Sequence, residues 1–324
     1  MKRSQRLNIE QAGRLTRLVG GRLFQAVLAV LGASVLVWAL LPLAPGDPAL
    51  RLLQARGVED PTTIEIEAMR AELALDRPLP EQYLQWLGRA VRGDLSLSYR
   101  TGRPVVQEIG QRLPATLLLS GLALLIALVT ALVCALLSAA FHERPLDRAI
   151  RLVTQVIASL PSFLIGLLLL QYLVVQFGIG RVLSGGDWRY VALPALCLSL
   201  GRAADWTQLL RANLLECLGA SYTLVATARG ATRLRVLVRY ALPNAILPFL
   251  TAVGVGIGGI IGGAAIIEAV FSWPGIGSYV LEAISARDFP VVQGFVAIAG
   301  ISYVAASLLV DLLGTLLDPR QREA

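Results

Sequence analysis

Apolar positions gather into six long runs separated by charged stretches, at about residues 23–43, 113–140, 152–177, 191–213, 243–269 and 290–316. A bilayer core about 30 Å thick needs roughly 20 apolar residues of helix, so each run predicts a membrane-spanning helix. The first, LFQAVLAVLGASVLVWALLPL, carries no charge and exceeds a typical signal-peptide core. No clear small-residue cleavage site follows it, so it reads as a retained anchor. The expected fold class is an all-α integral membrane protein. Its parts are an N-terminal segment 1–22, a first helix 23–43, an insertion 44–112, a five-helix core 113–316 and a tail 317–324.

The polar stretch 45–112 is far longer than a usual connection, and its basic and acidic residues nearly balance. TIEIEAMRAELALD and EQYLQWLGRAV have helical apolar spacing, which predicts a subdomain of short helices. The alternative, a structureless loop, leaves Leu84, Trp86, Leu87 and Val91 without cover.

Composition supports lipid as the main solvent. The 324 residues are 56% apolar and 16% charged, against about 25% charged in soluble domains, and the mean hydropathy is +0.66. The net charge of +7 carries no nucleic-acid reading, because basic residues between apolar runs mark cytoplasmic helix ends. Lys2, Arg3, Arg6, Arg14, Arg17 and Arg22 oppose only Glu10 before the first run. Arg144, Arg148 and Arg151 follow the second run, and Arg211, Arg229, Arg233, Arg235 and Arg239 cluster after the fourth. With Arg320 and Arg322 in the tail, both termini are expected inside. Glu282 and Asp288 against Arg287 put the 270–290 connection outside. Cys134, Cys197 and Cys217 lack metal-ligand spacing, and the single histidine, His142, reads as a solvated loop residue, so neither a metal site nor a catalytic residue is expected.

The segment SYTLVATARGATRLRVLVRYALPNAILP, 221–248, is basic and helix-prone, is broken once by Gly230, and meets the fifth run at Pro243. A short helix, a glycine break and a second helix would form a bracket on the membrane surface, able to insert into a soluble partner. An ordinary basic loop snorkelling to anionic lipid is the competing reading.

This segment resembles the cytoplasmic loop of the permease subunits of binding-protein-dependent ABC importers, patterned EAA, three residues, Gly, nine residues, I-x-L-P. The EAA positions fall on Leu224, Val225 and Ala226, the glycine on Gly230, and the closing pair on Leu242 and Pro243. The glutamate is absent, and Tyr240 replaces the isoleucine. The dipeptide, oligopeptide and nickel branch has Y-V-x-T-A-R-A-K-G there, which Tyr222, Ala226, Ala228 and Gly230 match, with Arg229 at the lysine position. Also similar to that branch are PGDPA (45–49), LDRPLPEQYLQWL (75–87), GDLSLSYRTGRPV (93–105), LPATLLLS (113–120), IIEAVFSWPGIG (266–277), RDFPVVQG (287–294) and LVDLLGTLLDPR (309–320). The likeness covers about residues 14–320.

The resemblance implies a type I ABC importer permease in a bacterial inner membrane. It implies a second homologous permease subunit, two ATPase subunits that hold ATP and Mg, and an external solute-binding protein. The loop 214–242 would couple to an ATPase through Tyr222 to Gly230. The chain has no G-x-x-x-x-G-K-[ST] sequence, so ATP hydrolysis is assigned to the partners and no cofactor to this chain. The GDPAL and IIGGAAIIEAVFSWPGIG stretches lean slightly toward nickel or a metal chelate as cargo. A dipeptide or oligopeptide is the alternative.

Ionisable residues within apolar runs are default site candidates. Arg202 and Asp205 share a helical face and are suited to an ion pair, unless the fourth span ends before them. Glu268 and Asp311 sit near span ends. Gly254, Gly258 and Gly262 recur every four residues, a face for packing against the partner permease or for lining and hinging the pathway. Trp273 and Pro274 in SWPGIG would gate the outer side or cap the helix. An integral-membrane enzyme built on Arg202, Asp205 and Glu268, or a passive channel, would explain these residues but not the bracket.

Overall fold

The computed structural model describes residues 20–21, 24–25, 27–39, 47–178 and 187–317. The basic N-terminal residues, Pro45 and Gly46 of PGDPA, and Arg320 and Arg322 lie outside the described residues. Among the described residues every regular element is helical, apart from one isolated antiparallel bridge between Leu97 and Pro104. The chain divides into two compact units: 1–115 with 274–304, and 116–273 with 305–324.

The first unit begins with α1 (Val27–Ala39) and holds three short helices, α2 (Pro48–Ala55), α3 (Thr63–Glu72) and α4 (Leu79–Ala90). Each has a local cause. Asp47 caps α2 by accepting from Ala49 N–H at 3.0 Å, and Pro48 opens its first turn. Thr62 and Glu65 form a capping box at the start of α3, and those hydrogen bonds hold the Glu65 carboxyl below its usual range. The expected helix over 63–76 stops early, because Ala74 takes a left-handed backbone conformation, φ 54°. Trp86 of α4 is buried and packs with Val105, Ile109, Tyr279 and Val291. Leu87 joins that cluster, whereas Leu84 and Val91 are 64% and 81% exposed, so the need for cover holds for only part of that face. The connection at 270–290 is not a plain charged loop. It contains α12 (Ile276–Ala286). Asp288 is buried after it and accepts from Ser98 Oγ and from the N–H groups of Tyr99 (3.0 Å) and Arg100 (3.2 Å).

Helix α5 (Val105–Ala140) starts eight residues before the expected boundary, and its later part enters the second unit. There Ala123, Ala127, Ala131, Ala135 and Ala139 form a fully buried stripe at four-residue spacing. Small side chains on one face let neighbouring helices approach closely. The run 152–177 is not one straight helix. It falls on α6 (Pro145–Ser159) and α7 (Ser162–Leu169), the latter continued by π turns over Leu170–Gln176, and the two parts bend by 102°. Pro161 is the reason: it forces Leu160 out of the helical region, to φ −95° and ψ 135°.

Next come α8 (Ala192–Leu218), α9 (Ser221–Ala228), α10 (Arg233–Val236) and α11 (Leu242–Val270), with π turns over Leu237–Ala241 between the last two. Helix α8 runs unbroken past Arg202 and Asp205, so those residues do not terminate it. Helix α13 (Phe289–Leu317) ends the described chain. Among the described residues two helices, Val105–Ala140 and Arg233–Val270, are long and apolar enough to cross a membrane, and the bent α6–α7 pair makes a third if it is one span.

Candidate functional site

The bracket is built from local rules. The Thr223 hydroxyl donates to Ala220 O (2.6 Å) and Leu218 O (2.9 Å), pinning the first turn of α9 to the end of α8. At the other end Gly230 has φ 86°, its N–H donates to Thr227 O (2.9 Å), and Ala231 N–H donates to Ala226 O (3.1 Å). These two bonds are a Schellman ending, which needs a left-handed residue at Gly230. Thr232 then caps α10 through Arg235 N–H. Pro243 has no N–H to donate, and the Asn244 side chain donates back to Tyr240 O at 2.8 Å. Leu242 is half-buried and Pro243 exposed at the start of α11.

Within α9, Thr223 and Ala226 face inward, while Tyr222, Leu224 and Val225 are 42%, 61% and 51% exposed. Ala228, Arg229 and Gly230 are exposed too. The bracket therefore presents an apolar knuckle flanked by arginines, a surface suited to a groove on a soluble protein.

Behind it, Asp147 is fully buried. It accepts from Arg211 Nε at 2.8 Å and Nη2 at 2.9 Å, from Ser138 Oγ, and from Glu143 N–H at 3.0 Å. His142 is not simply solvated: its Nδ1 lies 3.5 Å from Asp147 and 3.3 Å from Arg211 Nη2. Arg233 of α10 donates to Ala139 O at 3.4 Å, so the bracket is tied to the end of α5 beside this node. Sequence reading treated 144–151 only as a basic loop. The missed signal is one acid, Asp147, among three arginines.

Helices α8 and α11 pack through glycines. A Cβ at Gly256 would meet Trp206 Cζ2 at 2.6 Å, at Gly259 the Arg202 guanidinium at 2.1 Å, and at Gly263 Leu198 at 3.4 Å. The face used inside the chain is thus Gly256, Gly259 and Gly263. Gly254 is buried, Gly258 half-buried, and Gly262 is exposed with open space around it.

Arg202 pairs with Asp205 at 3.6 Å, both partly exposed. Glu268 is fully buried and accepts from Thr116 Oγ1 at 2.6 Å. Gly259, which Arg202 covers, and Glu268 lie nine residues apart on α11, about 13 Å along the axis at 1.5 Å per residue. These charges do not converge on one centre. Trp273 is buried and its N–H donates to Glu268 O at 2.8 Å, with Ser272 left-handed at φ 49°. It caps α11, while Pro274 is exposed. Asp311 lies on α13. Among the described residues no group of three or more His, Cys, Asp or Glu side chains is placed to hold a metal ion.

Residues 106–323 match the family described as binding-protein-dependent transport system inner membrane component, and residues 15–120 match its N-terminal region. The chain belongs to this family. A protein named as a peptide permease in Brucella suis biovar 1 is 37% identical, over 92% of this chain and 97% of its own. The D,D-dipeptide transport system permease protein DdpB of Escherichia coli K12 is 35% identical (92% and 95%), and the glutathione transport system permease protein GsiC of the same strain 32% (93% and 97%). Two solved structures, an amino acid ABC transporter with histidines and the MetNI methionine ABC transporter facing inward, align at TM-score 0.53. They cover 64% and 65% of this chain and 93% and 96% of theirs, at 20% and 15% identity, and support the fold. The chain is therefore an all-helical, multi-pass membrane permease of the ABC importer class, the family in which partner subunits supply ATPase and binding-protein functions.

Proposed function

We propose that this permease forms half of the translocation pathway of an ATP-driven importer of short peptides. The observation that carries the cargo is the set of relatives named for peptide, dipeptide and glutathione transport, each aligned over more than nine-tenths of this chain. The slight lean toward nickel gives way to this reading. Six spans would cross the membrane, with α6 and α7 together as the third, and both termini and the segment 214–242 in the cytoplasm. The segment 44–112 would then face outward, toward a solute-binding protein, and the 113–316 core would carry the remaining spans.

In this reading Tyr222, Leu224, Val225, Ala226, Ala228, Arg229 and Gly230, with Leu242 and Pro243 at the hinge into α11, couple the permease to one of two ATPase subunits that hold ATP and Mg. A second homologous permease completes the pathway. The open edge at Gly258 and Gly262 is the face offered to that subunit or to the pathway. Arg202, Asp205, Glu268, Trp273 and Pro274 then hold helices and turns in place. Supporting the coupling role are the exposed knuckle of α9 and its tie through Arg233 to α5.

The experiment is uptake of a labelled dipeptide, glutathione and nickel in cells lacking this chain and in cells with it restored. Restored dipeptide or glutathione uptake with no change in nickel is the expected result. Restored nickel uptake alone would overturn the cargo.

A further inference from the structure

The first unit carries an open pocket of about 790 Å³, within the range of roughly 300–1,000 Å³ common for small-ligand sites. Its walls come from α2, α3, α4, the turn near 96–102 and the first turn of α13. Neither the coupling bracket nor the α8–α11 packing uses these residues.

The polar groups around it are unevenly satisfied. Asp47 is held by Arg70 at 2.8 Å, and Glu72 lies 4.0 Å from Arg56. Arg89, also lining the pocket, has no carboxylate partner among the described residues. Three further lining residues carry buried polar atoms without a hydrogen-bond partner: Trp38 Nε1, Trp86 Nε1 and Ser96 Oγ. Trp86 is only 4% exposed. An indole N–H can only donate, and so can a guanidinium. The indole and Ser96 atoms are sealed from solvent, so the group offered to a ligand is the exposed Arg89 guanidinium, while the carboxylates already face cations.

A metal cation would need the opposite set. A peptide brings carbonyl oxygens and a terminal carboxylate, and its side chains find the Trp86, Tyr99 and Phe289 rings at the wall. Burial, with Asp288 nearby, pushes the Tyr99 phenol up to about 12, so it too is present as a neutral hydroxyl.

We propose that this pocket is a peptide site on the permease itself, taking a short peptide whose free C-terminal carboxylate rests on Arg89 and whose side chains pack on the Trp86, Tyr99 and Phe289 rings. The proposal rests on the peptide reading of the cargo and adds to it a place where the permease holds that cargo outside the membrane-spanning helices.

The test uses the full chain, purified in lipid nanodiscs and titrated with Ala-Phe and with the same dipeptide amidated at its C-terminus, followed by calorimetry and tryptophan fluorescence. Ala-Phe is expected to bind saturably, at least tenfold more tightly than the amide. Arg89→Gln should bring Ala-Phe to the level of the amide and leave the amide unchanged, Arg89→Lys should restore part of the difference, and neither should move the unfolding midpoint, since Arg89 is exposed. Equal binding of acid and amide, unchanged binding in Arg89→Gln, displacement of Ala-Phe by nickel chloride, or no saturable binding would each overturn the site. Uptake of Ala-Phe by cells is read separately. Uptake without binding sinks the pocket and spares the transport reading; binding without uptake sinks transport of this peptide and spares the pocket.

Discussion

Arg211 of α8 grips Asp147 at the start of α6 with two hydrogen bonds, 2.8 and 2.9 Å long, around a carboxylate that has no exposure to solvent. Ser138 of α5 donates to the same carboxylate, so one acid joins the ends of three helices. The bracket reaches this corner through Arg233 and Ala139. If the bracket couples to a partner as proposed, its movement would meet a braced corner rather than a loose loop, joined to α5, α6 and α8.

Breaking that pair should destabilise the chain. Removing one partner of a buried ion pair costs about 3–5 kcal/mol, because the other charge is left unpaired. Asp147→Ala is expected to lower the thermal unfolding midpoint of the detergent-purified chain markedly, and Asp147→Asn less so, since the amide keeps one acceptor for Arg211. An unchanged midpoint in Asp147→Ala would mean that the corner bears no load.

Gly230 tests the bracket. A side chain at φ 86° is strained whatever the space, by about 1–2 kcal/mol for an L-residue in the left-handed region, and a Cβ there meets nothing within 4 Å. Gly230→Val should insert and assemble normally, because no packing is lost, yet lose the Schellman ending that sets the angle between α9 and α10. Hydrolysis of ATP stimulated by loaded binding protein is then expected to fall to the basal rate. Gly230→Asn should retain most of it. Full stimulation in Gly230→Val would remove the coupling role from this turn.

The bracket was legible in the sequence because its determinants are local: Gly230, Thr232 and Pro243 act on neighbouring backbone. The helices of 63–76 and 81–91 were legible for a similar reason, through the local periodicity of their apolar residues. Pairings between distant residues were not. Asp147 meets Arg211 across 64 positions and Thr116 meets Glu268 across 152, and no spacing rule connects them. The face that α8 covers, Gly256, Gly259 and Gly263, was not picked out, because the four-residue repeat Gly254, Gly258 and Gly262 is as regular in the sequence. Only the register of Trp206, Arg202 and Leu198 decides between them. Pro161 was visible, but an apolar run hides a bend inside it.

That register gives a third prediction. Gly256→Ala puts a methyl 2.6 Å from Trp206, and overpacking of this kind typically costs about 1–3 kcal/mol. Gly262→Ala has open space and should leave the stability of the isolated chain unchanged. If Gly262 faces the second permease, Gly262→Leu should also leave the isolated chain stable and yet reduce co-purification of that subunit. Equal loss of stability in Gly256→Ala and Gly262→Ala, read from unfolding in detergent, would refute the assignment of faces.

Glu268 separates a transporter from an enzyme. Its carboxylate accepts from Thr116 at 2.6 Å, a bond the amide oxygen of glutamine also accepts. Glu268→Gln should therefore keep peptide uptake near the wild-type level, whereas an acid or base in a reaction would be lost with the ionisable group. Glu268→Ala leaves the Thr116 hydroxyl without this acceptor, which costs about 1–3 kcal/mol in a buried site, and opens space beside Thr116 and the turn that carries Trp273. Reduced protein level with normal transport per assembled complex is the expected outcome for alanine. If glutamine abolishes uptake in complexes that assemble and unfold like the wild type, the charge of Glu268 takes part in the transport cycle.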